Sequence, residues 1–284
     1  MLTIAEQKIS STDLSKIVRF VDDYSGIQLS DKKQSMVEGR LRKRLRHLNM
    51  ANFKVYTQFV LSASGKDEVI HLIDALTTNK TNFFREKDHF DYIVKTLLPK
   101  LVSQGIGRTR PLRIWSAGCS SGEEPYTLAM LLSEWNETHA PLDFEIIATD
   151  ISISVLKKAK QALYTEKDIE PVPIDMRRKY FRRSIQDPNV LQVSGVVKNQ
   201  VSFGILNFKN KIYRLPDKMD IIFCRNVLIY FDKTNQQDII NKFCQLLVPQ
   251  GNLFLGHSES IHGLKLPLDL IGQTIYQKHD RVQI

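Results

Sequence analysis

Residues 113–126 read RIWSAGCSSGEEPY: a short apolar strand, a turn of glycines and serines, then the start of a helix. Small residues at such a turn let a ligand approach the backbone closely, at the carboxyl edge where open α/β sheets bind their ligands. The stretch lacks both G-x-G-x-x-G and G-x-x-x-x-G-K-[ST], which counts against a dinucleotide and against a nucleoside triphosphate. Outward from it the rhythm repeats: strands are expected over 113–116, 144–149, 201–206, 220–224, 252–256 and 274–277, and helices over 124–135, 154–162 and 234–247. That alternation implies an α/β fold, a parallel sheet covered on both faces. Between residues 164 and 200 it lapses into a charged, proline-containing stretch with strand-like pieces near 190–193 and 196–197, read as an inserted subdomain.

Upstream the reading is helical. Apolar residues recur at three- and four-residue spacing between polar starts and glycine stops, predicting helices over 11–24, 31–48, 52–61 and 66–76, with Gly26 as a C-cap and Asn52 as an N-cap. In the second of these, Met36, Val37, Leu41, Leu45 and Leu48 form an inner stripe while Arg40, Arg42, Lys43, Arg44 and Arg46 crowd the remaining circumference. A polar segment, TTNKTNFFR over 77–85, precedes a further helix over 87–101 and a loop over 103–111.

The 284 residues, 42% of them hydrophobic, suffice for one large domain and one small one. A run of eighteen apolar residues is lacking and the N-terminus is polar, so neither a membrane span nor a signal peptide is expected and the cytoplasm is. Cys119, Cys224 and Cys244 form no C-x-x-C pair, which excludes a disulfide framework and a structural zinc site and leaves small buried hydrophobes. No metal site is expected. A formal charge of +9 points to an acidic partner without saying which.

Two strand ends carry polar chemistry. Asp150 closes the strand ending in IATD, placed either to accept hydrogen bonds from both hydroxyls of a ribose or to cap the next helix. Residues 220–232, DIIFCRNVLIYFD, feed an apolar strand into Arg225 and Asn226 and then an aromatic cluster. Tyr230 there is either core or a cover for a sulfonium through cation–π attraction.

Taken together, T-x-N-x-T-x-F-F-R over 77–85, G-E-E-P-Y over 122–126 and C-R-N-V-x-I-Y-F-D over 224–232, with Asp150 and Asn207, closely resemble the chemotaxis receptor methyltransferase (CheR) family. The resemblance spans nearly the whole chain. It implies a class I S-adenosylmethionine-dependent methyltransferase fold, Rossmann-like and mostly parallel with an antiparallel last strand, an N-terminal all-α bundle and a small inserted β-subdomain. The implied organisation is a basic receptor-docking domain over 1–78, a cofactor-contacting linker over 79–111 and a catalytic domain over 112–284 with its insert at about 165–200. The implied product is a glutamate γ-methyl ester, with S-adenosylhomocysteine left behind. Asn79, Thr81, Arg85, Glu124, Asp150, Asn207, Phe208, Arg225 and Asn226 are implied to line the cofactor site.

Within that reading the turn from Ala117 through Gly118 to Gly122 faces the methionine part of the cofactor, and Glu124 receives its ammonium. Arg85 holds either the cofactor carboxylate or the incoming glutamate. Tyr230 orients the substrate. The basic helix around Arg40–Arg46 is the expected docking face for an acidic coiled coil of receptor methylation helices. A receptor-tail tether, which some members hold with a glycine-containing loop, is disfavoured because residues 182–193 carry no G-x-G. A nucleic-acid methyltransferase is disfavoured because N-P-P-Y is replaced by Arg225-Asn226-Val227-Leu228. A catalytically silent adaptor is disfavoured by the retention of Arg85, Asp150, Asn226 and Tyr230. A monomer is the default.

Overall fold

A computed structural model describes residues 7–29, 34–185 and 187–280. The N-terminal bundle begins with α1 (Ser11–Ser25), where the Ser10 hydroxyl accepts the Asp13 amide and Gly26, at φ 76°, closes the end in the left-handed region. Then follow α2 (Gln34–His47), α3 (Phe53–Val60) capped by Asn52, and α4 (Lys66–Leu76). The expected start of the second helix, residues 31–33, lies outside the described residues. Ile17, Val21, Val37, Leu41, Leu45, Tyr56 and Leu72 fill the bundle core.

The helix expected over 87–101 is three pieces in one run: α5 (Lys87–Tyr92), a π-helical turn (Ile93–Leu97) and α6 (Leu98–Ser103). Pro99 supplies the reason, since it lacks an N–H and its ring crowds the preceding carbonyls, which a widened turn relieves.

The sheet is assembled from β1 (Leu112–Ala117), β2 (Phe144–Asp150), β6 (Val201–Ile205), β7 (Met219–Cys224), β8 (Leu247–Leu255), β9 (Leu268–Gly272) and β10 (Ile275–Lys278). Its order is β6-β2-β1-β7-β8-β10-β9. The first five strands run parallel, while β10 is antiparallel to both β8 and β9. β10 is thus the reversed strand, as the antiparallel last strand was expected to be, while β9 beyond it runs in the direction of the first five and was not expected as a strand. The missed strand, β9, is an edge whose residues are all exposed or half-buried, so it carries no buried alternation to read. By contrast β7 is buried throughout, which its unbroken apolar run foretells.

Alternate residues of the central strands feed two cores. Ile114, Ile221 and Phe223 pack under α7 (Glu123–Thr138) and the run over 87–103, whereas Trp115, Ile222 and Cys224 pack under α11 (Lys233–Leu246). After α8 (Ile153–Gln161) the insert forms a second, antiparallel sheet of β3 (Leu163–Thr165), β4 (Phe181–Arg183) and β5 (Val190–Val193), in the order β3-β5-β4. It also holds α9 (Ile174–Tyr180) and α10 (Gly195–Lys198). The strand expected near 196–197 is thus a helical turn. The Ser194 carbonyl accepts the amides of Val197 and Lys198, and this local bonding overrides valine's preference for strands. All three cysteines are buried and free. Among the described residues no helix is long and apolar enough to cross a membrane.

Candidate active site

The strand order reverses direction between β1 and β7, and a cleft opens there at the carboxyl ends of β1, β2, β6 and β7, roofed by the helical bundle. Its geometry begins with the turn after β1. Gly118 and Gly122 have φ of 85° and 97°, and a Cβ on Gly118 would sit 2.6 Å from Val227 Cγ2, so both glycines are required by conformation and one also by space. The Ser120 amide then donates to Asp150 Oδ2 at 2.9 Å, and Ser152 N to Oδ1 at 2.9 Å. Asp150 thereby clamps the tips of β1 and β2 together at the cleft wall. Burial pushes its carboxyl up, against the pull of these amides. The helix-capping alternative falls away, because Ser152 supplies the N-cap of α8.

Beyond β7, Arg225 is a girder. Its side chain is 2% exposed; Nε donates to Glu124 Oε2 at 2.7 Å and Nη1 to the Arg85 carbonyl at 2.7 Å. The guanidinium also lies 4.9 Å from the Phe90 ring centroid. Glu124 in turn accepts the Ser116 hydroxyl at 2.7 Å. Arg225 lines the cleft, as expected, but its fork is committed to the protein. Its neighbour Asn226 takes a left-handed φ of 59°, donates to Glu86 Oε1 at 3.2 Å, and leaves Oδ1 buried without a partner. An unmatched acceptor in a cleft wall is what a ligand donor fills.

The residue that holds this turn escaped the sequence reading. Glu259 is buried and its carboxylate accepts four backbone amides, from Asn226 (2.8 Å), Val227 (2.8 Å), Leu228 (2.7 Å) and Gly256 (2.6 Å). Burial pushes the carboxyl up while the four amides pull against it. Gly256 is obligatory, since a Cβ there would meet Asn226 Nδ2 at 2.5 Å.

The helical bundle contributes walls that no motif signalled: Ser25, Ile27, Leu29 and Met36. The Asn207 amide donates to the Tyr24 carbonyl at 2.7 Å, and Gln28 N donates to the Tyr230 carbonyl at 2.7 Å. Both domains thus build one cleft. Asn79, Thr81, Arg85, Gly118, Glu124, Asp150, Asn207, Phe208, Arg225, Asn226 and Tyr230 all line it. Ala117 does not; it is 1% exposed in the core beneath α11. Arg85 is half-exposed and donates to the Lys80 carbonyl at 3.0 Å.

Glu86, His89 and His257 bring ligand-type atoms within 4.8 Å of one another, yet Arg225 Nη1 stands 3.4 Å from His89 Nδ1 and 3.4 Å from Glu86 Oε2. A fixed cation there disfavours a divalent one. His89 Nε2 lies 3.1 Å from the Gln273 carbonyl, which assigns the proton to Nε2 and leaves Nδ1 as acceptor. Burial, reinforced by the charge of Arg225, holds this imidazole below the ordinary histidine range. The neutral ring is the folded form, so its stabilising contribution is full above the unfolded pKa of about 6.5 and is lost as pH falls through the lower folded value. Urea unfolding between pH 7 and pH 5 is expected to show a decline that flattens in His89→Gln; identical slopes would contradict it.

Residues 79–277 match the family described as CheR methyltransferase, SAM binding domain, and residues 12–77 its all-alpha domain. The chain belongs to the CheR methyltransferase family. It is 41% identical to a chemotaxis protein methyltransferase of Borreliella burgdorferi over 274 residues, covering 95% of each chain. Against that of Escherichia coli it is 38% identical over 269 residues, 94% of this chain and 91% of the other. As a CheR methyltransferase it uses S-adenosylmethionine and acts in chemotaxis. The cleft suits that cofactor: a buried carboxylate at the tip of β2, a glycine turn open to close approach, and an unmatched amide oxygen on Asn226.

Of the five cations expected to form the docking face, three reach groups beyond α2 within this CheR chain. Arg44 forks onto Glu68 at 2.8 and 2.7 Å, Arg42 donates to the Gln7 carbonyl (2.9 Å) and Glu38 (3.2 Å), and Arg40 donates to backbone carbonyls at the end of α4. Lys43 and Arg46 remain exposed. A helical wheel places charges around a cylinder but shows neither the Glu68 carboxylate of α4 nor the backbone carbonyls of Gln7, Leu76 and Thr77 that these side chains reach.

Proposed function

We propose that this enzyme methylates glutamate side chains on the cytoplasmic helices of chemotaxis receptors, giving γ-methyl esters and S-adenosylhomocysteine. The observation that carries the reading is the half-exposed guanidinium of Arg85 in the wall of a cleft whose own carboxylates, Glu124 and Asp150, are already tied to protein donors. A cation at that wall suits a substrate carboxylate, and a glutamate with a pKa of about 4.3 arrives ionised, so no general base is required.

When bound, S-adenosylmethionine supplies an electrophilic methyl on a sulfonium. Because the acceptor is already a carboxylate, no residue of the chain has to move a proton. The chain's part is therefore positioning and exclusion of water. Asp150 holds the ribose hydroxyls, Gly118 admits the methionine part, and the Asn226 amide oxygen accepts from the cofactor. Glu124, half-neutralised by Arg225, faces the ammonium. Arg85 holds the incoming carboxylate and Tyr230 orients it. Lys43 and Arg46 steer the acidic receptor helices to α2, and the insert needs no receptor tail. Transfer of a radiolabelled methyl to receptor-containing membranes is expected to give label released as methanol by mild base. Base-stable label would point to nitrogen or carbon acceptors and overturn the proposal.

A further inference from the structure

We infer that Arg40 is a positioning residue for the cofactor segment and not a cation of the docking face; the inference rests on the cleft being the cofactor site. Arg40 leaves the basic face of α2 and reaches across to α4. Its Nη1 donates to the carbonyls of Ala75 (3.3 Å), Leu76 (2.9 Å) and Thr77 (2.7 Å), and Nη2 to the Thr78 hydroxyl at 3.4 Å. The last carbonyls of a helix have no partner within it and carry the negative end of its dipole, so a guanidinium meets both needs.

What makes the contact functional is where α4 ends. Thr77 is its C-cap, in extended conformation, and residues 77–81 run from there directly into the cleft wall. Two residues on, Asn79 is bound on both sides of the site: its carbonyl accepts the Ser120 hydroxyl at 2.9 Å, and its amide donates to the Thr77 and Ser152 hydroxyls at 3.2 and 3.4 Å. Asp74, on the last turn of α4, accepts the Ser154 amide at 3.1 Å and the Ser152 hydroxyl. The end of α4, the glycine turn and the turn clamped by Asp150 are therefore one hydrogen-bonded knot, and Arg40 fixes the end of it that no strand holds. Freed of Arg40, residues 77–79 rest on the bundle side on the bonds of Thr77 to the Ile73 and Asp74 carbonyls, and the cofactor must supply more of their order when it binds.

Calorimetry with S-adenosylhomocysteine, paired with steady-state methylation of receptor membranes, tests this. Arg40→Ala is expected to weaken binding about tenfold, the loss of roughly one charge-assisted hydrogen bond. KM for S-adenosylmethionine rises in proportion, kcat at saturating cofactor stays within about twofold, and Arg40→Lys recovers part of the affinity. A role confined to bundle stability would lower the melting temperature without this split. Lys43→Glu with Arg46→Glu is the contrast, raising KM for the receptor and flattening its salt dependence. If Arg40→Ala instead binds S-adenosylhomocysteine as tightly as the wild type and loses receptor affinity in the manner of the Lys43 and Arg46 pair, Arg40 belongs to the docking face and the inference is overturned. Absence of binding heat in the wild type would remove the cofactor site and the inference with it, a result distinct from unchanged affinity in the variant alone.

Discussion

Replacing Arg225 by methionine is expected to destabilise the protein by roughly 3–5 kcal/mol, the range for removing one partner of a buried ion pair. The magnitude follows from what is left behind. Glu124 remains buried with only the Ser116 hydroxyl, the Arg85 carbonyl loses its donor, and Glu86 loses its cation. Methionine fills most of the aliphatic volume between Phe90 and Phe223, so packing loss is a minor part. Adding Glu124→Gln to Arg225→Met should restore part of the stability, because the stranded charge is then gone. Activity should not return in the double variant, since the carbonyl of Arg85 is still unheld. Urea melts of the two single variants and the double would check this; additive losses would mean that the two side chains do not act as a pair.

The second large effect is expected at Glu259. Truncation to alanine strands four amide donors in a buried turn, each worth about 1–3 kcal/mol if it stays dry. Water entering the vacated space recovers much of this, so the net loss is roughly 3–5 kcal/mol. Glu259→Gln does not rescue it, because an amide offers one acceptor oxygen where two are used and turns its NH2 toward N–H groups. The functional loss is specific: Asn226, held at positive φ, and the turn leading to Tyr230 are placed by these bonds. Hydrogen exchange is the direct readout, with the amides of 226–228 and 256 losing protection together in Glu259→Ala. Protection retained at those four positions would show that the turn holds itself.

What could be read in advance was what depends on backbone chemistry and short spacing. Gly118 and Gly122 were legible because a strand-to-helix turn needs positive φ, and Asp150 as a polar strand tip, although a ligand contact and a helix cap look alike there until Ser152 is seen to hold the cap. The bundle was legible from its caps and stripes, α4 to the residue. Glu259 was not, since its meaning lies chiefly in the amides of 226–228, some thirty residues away, that become neighbours only when β7 and β8 pair. The walls from Ile27 and Leu29 were likewise hidden, because an apolar loop residue carries no sign of which domain it will cover. The insert was recognised as a break in rhythm, but three-residue strands are too short to show a period, and α9 was concealed in a charged run. Arg40 and Arg44 were legible as charge but their partners were not, because those acceptors sit 24 to 38 residues away.

The central claim is that one cleft, closed by both domains and clamped by Asp150, holds the cofactor. Titration calorimetry of S-adenosylhomocysteine into the wild type and Asp150→Ala tests it most directly. The expected result is one site per chain in the wild type and a loss of about ten- to a hundredfold in the variant, as for charge-assisted hydrogen bonds to a ribose. An Asp150→Ala protein that folds and binds with wild-type affinity would contradict it.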